Sequence, residues 1–119
     1  MSLKKTYFIL SRPQLGENIG STARALKNFN IPNLRIVKPR CVWPNHKAIS
    51  TSVGAKNILL SAKIYKSVEQ SIGDLDIVFA STSRVRKINK KVISITEFTK
   101  KIKKNKKIGI IFGSESSGL

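Results

Sequence analysis

The sequence predicts a single α/β domain built on an open, mostly parallel sheet with helices on both faces. Three observations lead there. Short apolar runs recur at Tyr7–Leu10, Leu34–Val37, Ala62–Tyr65, Ile77–Ala80 and Ile108–Phe112, each of strand length. The segments between them are long enough for helices and several show helical spacing, which gives the order βαβαβαβαβ. No repeat or low-complexity linker divides the 119 residues, so one domain spanning 1–119 is expected.

The first run leads into Ser11-Arg12-Pro13 and then into a helix expected from about Asn18 to Asn30. At roughly 100° per residue, Ile19, Ala23, Leu26 and Phe29 share the side that packs on the sheet. Glu17, Gly20 and Arg24 form an outward stripe, along which a substrate is expected to come close at Gly20. Ser67-Val68-Glu69-Gln70 and Ser94-Ile95-Thr96-Glu97 both fit the capping box, in which an N-cap hydroxyl and an acid or amide three residues on exchange backbone bonds. A later helix, about Ile95 to Lys104, sets Ile95, Phe98 and Ile102 inward against Lys100, Lys101, Lys103 and Lys104. The last run opens into Gly113-Ser114-Glu115-Ser116-Ser117-Gly118-Leu119. Ligands of open α/β sheets sit at the carboxyl ends of strands, and a glycine there lets backbone approach them closely. The loops after the first and last runs therefore read as two halves of one site.

Charge narrows the partners. The chain carries 23 Lys and Arg against 6 Asp and Glu, a formal net charge of +17. A genome rich in A and T would favour Lys over Arg but would not remove the acids, so a polyanion, RNA or DNA, is the expected partner. A first cationic cluster, Lys100 to Lys107, is a general electrostatic attractor. A second, Arg84, Arg86, Lys87, Lys90 and Lys91, follows the fourth run and shares its carboxyl edge with Gly113. The apolar run after Lys4 and Lys5 is too short for a signal sequence or a spanning helix, so a cytoplasmic protein with no membrane role is expected. Cys41 is the only cysteine and His46 the only histidine, which excludes an internal disulfide and a four-ligand zinc site; no metal is expected. The loop Val42-Trp43-Pro44-Asn45 offers no helix or strand to hold Cys41 and His46 as a nucleophilic pair. A P-loop is excluded because Gly113–Leu119 lacks the Gly-Lys-Ser/Thr that holds phosphate and magnesium.

Asn18-Ile19-Gly20-Ser21-Thr22-Ala23-Arg24 and Phe112-Gly113-Ser114-Glu115-Ser116-Ser117-Gly118-Leu119 resemble, in order, the first two motifs of the SPOUT class of RNA methyltransferases, in its SpoU or TrmH branch. The interior Phe79–Arg86 and the early Asn33–Pro39 look most like the TrmJ type, which modifies an anticodon-loop nucleotide of tRNA. The resemblance covers essentially the whole chain. It implies 2′-O-ribose methylation of RNA, S-adenosylmethionine as methyl donor, and a homodimer. It also implies a catalytic Arg24 supported by Asn18, with Glu115 near the same cleft. Ser81, Thr82, Ser83 and Gly113 would line the donor pocket, and Arg12, Arg24, Arg84, Arg86 and Lys87 would meet RNA. A guanidinium donates protons and does not accept them, so Arg24 fits a phosphate clamp and a stabiliser of the developing oxyanion better than a general base. The family's third, knot-forming motif has no counterpart within these residues. The expectation is therefore a SPOUT-like domain without its C-terminal knot segment, which alone binds the donor poorly and transfers little methyl. The alternative is a catalytically inactive, basic RNA-binding module.

Overall fold

The computed structural model describes residues 4–80, 92–93 and 106–113. They form a parallel sheet in the order β3-β2-β1-β6-β4-β5. The strands are β1 (Thr6–Ser11), β2 (Asn33–Val37), β3 (Lys63–Tyr65), β4 (Ile77–Ala80), β5 (Val92–Ile93) and β6 (Ile108–Phe112). The helices are α1 (Gly16–Asn28), α2 (His46–Thr51), α3 (Lys56–Ser61) and α4 (Val68–Ile72). The five predicted runs are all strands, and the α/β class holds. The sixth strand, β5, is two residues long and sits in a basic segment, too short to register as an apolar run. The third strand begins at Lys63 because Ala62 caps α3, its N–H donating to the Leu59 carbonyl.

The sheet packs side chains against a helical layer on each face. On one face Leu34 and Ile36 meet Ile19, Ala23 and Leu26 of α1, Ala48 of α2, and Ile58 and Leu59 of α3. On the other, Ile9, Val37, Val78 and Ile111 meet Ile72 of α4 and Leu75. Burying each such aliphatic side chain stabilises the fold by about 1.5–3 kcal/mol. The register Phe8↔Ile110 and Val78↔Gly109 places β6 between β1 and β4. Leu75, packing over Gly109, occupies the place a side chain there would need.

Helix α1 differs from its expected form in three respects, each with a local cause. It begins two residues before Asn18, because Gly16 is seated beneath Asn45, whose side chain accepts from the Ala48 N–H at 3.0 Å and caps α2. It buries Gly20 rather than presenting it to a substrate: a Cβ at Gly20 would overlap Thr51 Oγ1 and the Ala48 carbonyl, so α2 covers the stripe at Gly20 while Arg24 stays exposed. And Phe29 points to solvent, 68 % exposed. The chain reverses at Asn30 (φ 60°), whose N–H donates to Lys27 O at 3.1 Å while the Ile31 N–H donates to Leu26 O at 2.9 Å. This Schellman ending returns Ile31, not Phe29, to the core. The Ser67 box forms as expected, Ser67 Oγ accepting from the Gln70 N–H at 3.1 Å. The return bond falls one residue early, with the Lys66 N–H donating to Gln70 Oε1 at 3.3 Å. The Ser94 box and the Ile95–Lys104 helix lie outside the described residues.

Arg35 stands in the middle of β2 with its side chain 9 % exposed. It donates to both oxygens of Asp74, at 2.8 and 3.0 Å, and to the Ser71 carbonyl at 2.6 Å. Its guanidinium lies 4.2 Å from the Tyr7 ring centroid and 5.5 Å from that of Tyr65. Lys107 Nζ stands 3.8 Å from the same carboxylate. The hydrogen bond from Arg35, with the two cations' charge, holds the Asp74 carboxyl down at about 2 against partial burial, which acts the other way.

Two stability measurements check this packing. Gly20→Ala is expected to lower the unfolding free energy by about 2 kcal/mol, although Ala gains about 1 kcal/mol in a free helix, because α2 occupies the methyl's place; a stabilising result in urea titration would show that α2 does not seat there. Asp74, whose carboxyl is depressed on folding, contributes stability that is present above pH 4 and lost as pH falls toward 2. Its half-exposed side chain limits that contribution to about 1 kcal/mol. Asp74→Asn should abolish this acid-limb dependence, read from melting temperatures between pH 2 and pH 5.

Candidate functional site at the carboxyl edge of the sheet

The chain runs from β1 outward through β2 to β3, then crosses to β4 and β5 on the other side of β6. Connections from β1 and β4 thus leave in opposite directions, which opens a crevice over the carboxyl ends of the strands between them. That crevice is bordered by Ser11, Phe112 and Ala80. Phe112 stacks on Phe8 with ring centroids 4.9 Å apart, fixing the end of β6, and half-buried Gly113 follows directly. Ala80, the last residue of β4, pairs with Ile111, one residue before Phe112 and two before Gly113. Ser81, Thr82, Ser83, Arg84, Arg86, Lys87 and Glu115 lie outside the described residues.

Helix α1 starts at this edge and descends across the sheet. Asn18 stands in its first turn with its side chain toward solvent. Arg24 is also exposed, eight residues below Gly16 and so about 12 Å down the axis. The six residue steps from Asn18 to Arg24 amount to about 9 Å of rise and about 240° of rotation, so the two side chains leave different sides of the helix. Glu17 is engaged with Lys47 at 3.8 Å and belongs to the α1–α2 contact. Cys41 packs half-buried at the margin of the α1–α3 core, whereas His46 opens α2 in solvent. Among the described residues no three His, Cys, Asp or Glu gather as a metal-holding group.

A second feature of this edge was not legible as a motif. The residues that immediately follow β1, β2 and β3 are Arg12, Lys38 and Lys66. Arg12 and Lys38 are left-handed, with φ of 50° and 43°. Each donates its N–H to the last carbonyl of the next strand: Arg12 to Val37 O at 2.6 Å, Lys38 to Tyr65 O at 3.0 Å. Left-handed backbone costs a side-chain-bearing residue about 1 kcal/mol. The three residues border a cleft of about 270 Å³ together with Ser11, Val37, Ser67 and Glu69. The signal in the sequence was positional, a cation directly after each of three adjacent strands, and became visible only once the strand ends were known.

Residues 5–119 match the model of the SpoU rRNA Methylase family. The chain belongs to this family. It is 41 % identical over 115 residues to the tRNA (cytidine-2′-O-)-methyltransferase TrmJ of Methanocaldococcus jannaschii, a match covering 93 % of this chain and 50 % of that protein. It superposes on the crystal structure of TrmJ from Z. mobilis with a TM-score of 0.81 at 40 % identity, covering 96 % of this chain and 52 % of the other. A probable methylase family protein from Haemophilus influenzae gives a TM-score of 0.80 at 30 % identity, covering 99 % and 50 %. The chain therefore spans about half the length of the SpoU-family relatives it matches. The α/β fold expected from the resemblance is the fold these relatives share.

If the left-handed backbone at Lys38 is strained, Lys38→Gly should raise the unfolding free energy by about 1 kcal/mol and Lys38→Val should lower it by at least as much; denaturant unfolding of the pair checks this.

Proposed function

We propose that the protein to which these residues belong methylates ribose 2′-hydroxyls of RNA, with tRNA as substrate and an anticodon-loop nucleotide as target. The observation that carries this reading is the family match across residues 5–119, together with 41 % identity to an archaeal tRNA 2′-O-methyltransferase. The basic balance of 23 cations to 6 acids suits the polyanionic substrate. S-adenosylmethionine is the proposed donor, and it supplies an electrophilic methyl on a sulfonium. The described part of the edge suits such a group: Gly113, without a side chain, follows β6 at the crevice.

In this reading Gly113 and Ser81–Ser83 hold the donor, and Arg24 meets the RNA. A 2′-hydroxyl must lose its proton as it attacks, and negative charge grows on that oxygen. Arg24 keeps its proton, so its part is to clamp the neighbouring phosphate and to stabilise the growing charge. Asn18 and Glu115 orient Arg24 or the ribose. Arg24 lies well down α1 from the crevice, and a homodimer, proposed here as the working unit, would let α1 of one copy approach the edge of the other. Arg12, Arg84, Arg86 and Lys87 guide the RNA. A cytoplasmic location is part of the same proposal.

The direct check is transfer of labelled methyl from S-adenosylmethionine to unmodified tRNA, with ribose methylation read after nuclease digestion. Arg24→Ala is expected to reduce transfer by at least about a hundredfold, and Arg24→Lys by a smaller factor. Full transfer by Arg24→Lys would exclude the bidentate clamp. Salt-dependent tRNA binding with no transfer would favour the inactive RNA-binding module.

A further inference from the structure

We infer that Arg12, Lys38 and Lys66 form a phosphate-binding row that carries RNA across the carboxyl edge over β1, β2 and β3, on the side of β1 away from β6. The inference rests on RNA being the partner, as proposed above, and assigns it a second footing that the family motifs do not include.

Its basis is the repetition of one backbone device. Parallel strands lie about 4.8 Å apart, so three cations placed directly after three adjacent strands form a row about 10 Å long. Two of the three are held there in left-handed conformation, tied by their N–H groups to the neighbouring strand's last carbonyl. An ordinary turn would use Gly or Asn at such positions. Here Arg and Lys occupy them instead, and strain of this kind gathers where a side chain has work to do. No carboxylate in the described structure pairs with Arg12, Lys38 or Lys66, whereas Arg35, Lys47 and Lys107 all have one. The cleft below the row holds about 270 Å³, several times the ~30 Å³ share of one water, and so admits a phosphodiester with its hydration. Among the described residues its single acid, Glu69, is exposed on α4 and opposes three cations. Arg40, whose N–H donates to Pro13 O at 2.8 Å, extends the basic border toward α1. The opposite, amino edge is differently charged. Asp74 and Asp76 are there, the first bound to Arg35 and the second accepting from the Lys107 N–H at 2.8 Å.

The test compares two pairs of substitutions of equal charge in the full chain, with an unmodified tRNA transcript as probe. Lys38→Gln with Lys66→Gln removes two members of the row; Lys5→Gln with Lys63→Gln removes two exposed lysines at the amino edge. The row pair is expected to weaken binding about tenfold near 0.1 M salt and to reduce the slope of log affinity against log salt by about 1 to 2. The amino-edge pair should weaken it less than about threefold. Glu69→Gln should tighten binding. Equal losses from both pairs, or an unchanged slope in the row pair, overturn the inference. All four lysine side chains are exposed, so folding is expected to persist, and circular dichroism melts verify it. Methyl transfer is scored separately, on the whole protein to which these residues belong: binding without any transfer by that protein sinks the functional reading alone, and transfer with undiminished binding by the row pair sinks this one alone.

Discussion

The sheet is organised around a charge that has no ordinary place in it. A guanidinium in the middle of a parallel strand loses its water, and the loss is several kcal/mol unless every donor direction is filled. Arg35 is accepted because Asp74, the Ser71 carbonyl and the faces of Tyr7 and Tyr65 surround it. Those partners come from β1, β3, the end of α4 and the turn into β4. Satisfying one side chain therefore fixes how four segments sit on β2. Among the described residues no buried side-chain nitrogen or oxygen is left without a partner.

The two edges of the sheet divide the work that follows from this. At the amino edge, acids are used internally, by Arg35 and by the Lys107 N–H. At the carboxyl edge, backbone and cations are left facing outward, and the strand order opens a crevice over the ends of β1, β6 and β4. The α1–α2 contact belongs to neither edge. Gly16 and Gly20 bring the helices together so closely that Asn45, Ala48 and Thr51 lie against the α1 backbone. The first family motif thus contains a residue whose small size serves helix packing, alongside Asn18 and Arg24, which remain exposed.

Much of the architecture was legible because buried parallel strands are nearly continuous apolar runs, and β1, β2, β4 and β6 are such runs. β5 was not, since two residues carry no period. Face assignment along α1 succeeded for Ile19, Ala23 and Leu26, where the helix is regular, and failed at Phe29, where the Schellman turn at Asn30 replaces helical periodicity by a reversal. Gly20 was misread because a helical wheel shows which side a residue faces but not what lies there. Motif order in the sequence singled out Gly113, which follows β6 directly at this edge, and Asn18 and Arg24, which stand exposed on α1, Arg24 about 12 Å down its axis. Arg35 and the Arg12–Lys38–Lys66 row were not legible, because their meaning depends on neighbours brought from other strands. An Arg flanked by Leu34, Ile36 and Val37 was the one available hint.

The position of β6 also bears on how the chain reaches this fold. β6 pairs with β1 across about a hundred residues of sequence, and it separates β1 from β4 in the finished sheet. Until Ile108–Phe112 arrives, the inner edges of β1 and β4 have no partner, and Ile9 and Val78 lack the neighbour that completes their layer. Non-local pairing of this kind slows folding and leaves sticky edges exposed meanwhile. During synthesis the first three strands can gather on α1 early, but the sheet closes only as its central strand leaves the ribosome. A nascent chain is therefore most vulnerable to misassociation in the interval before β6 enters between β1 and β4.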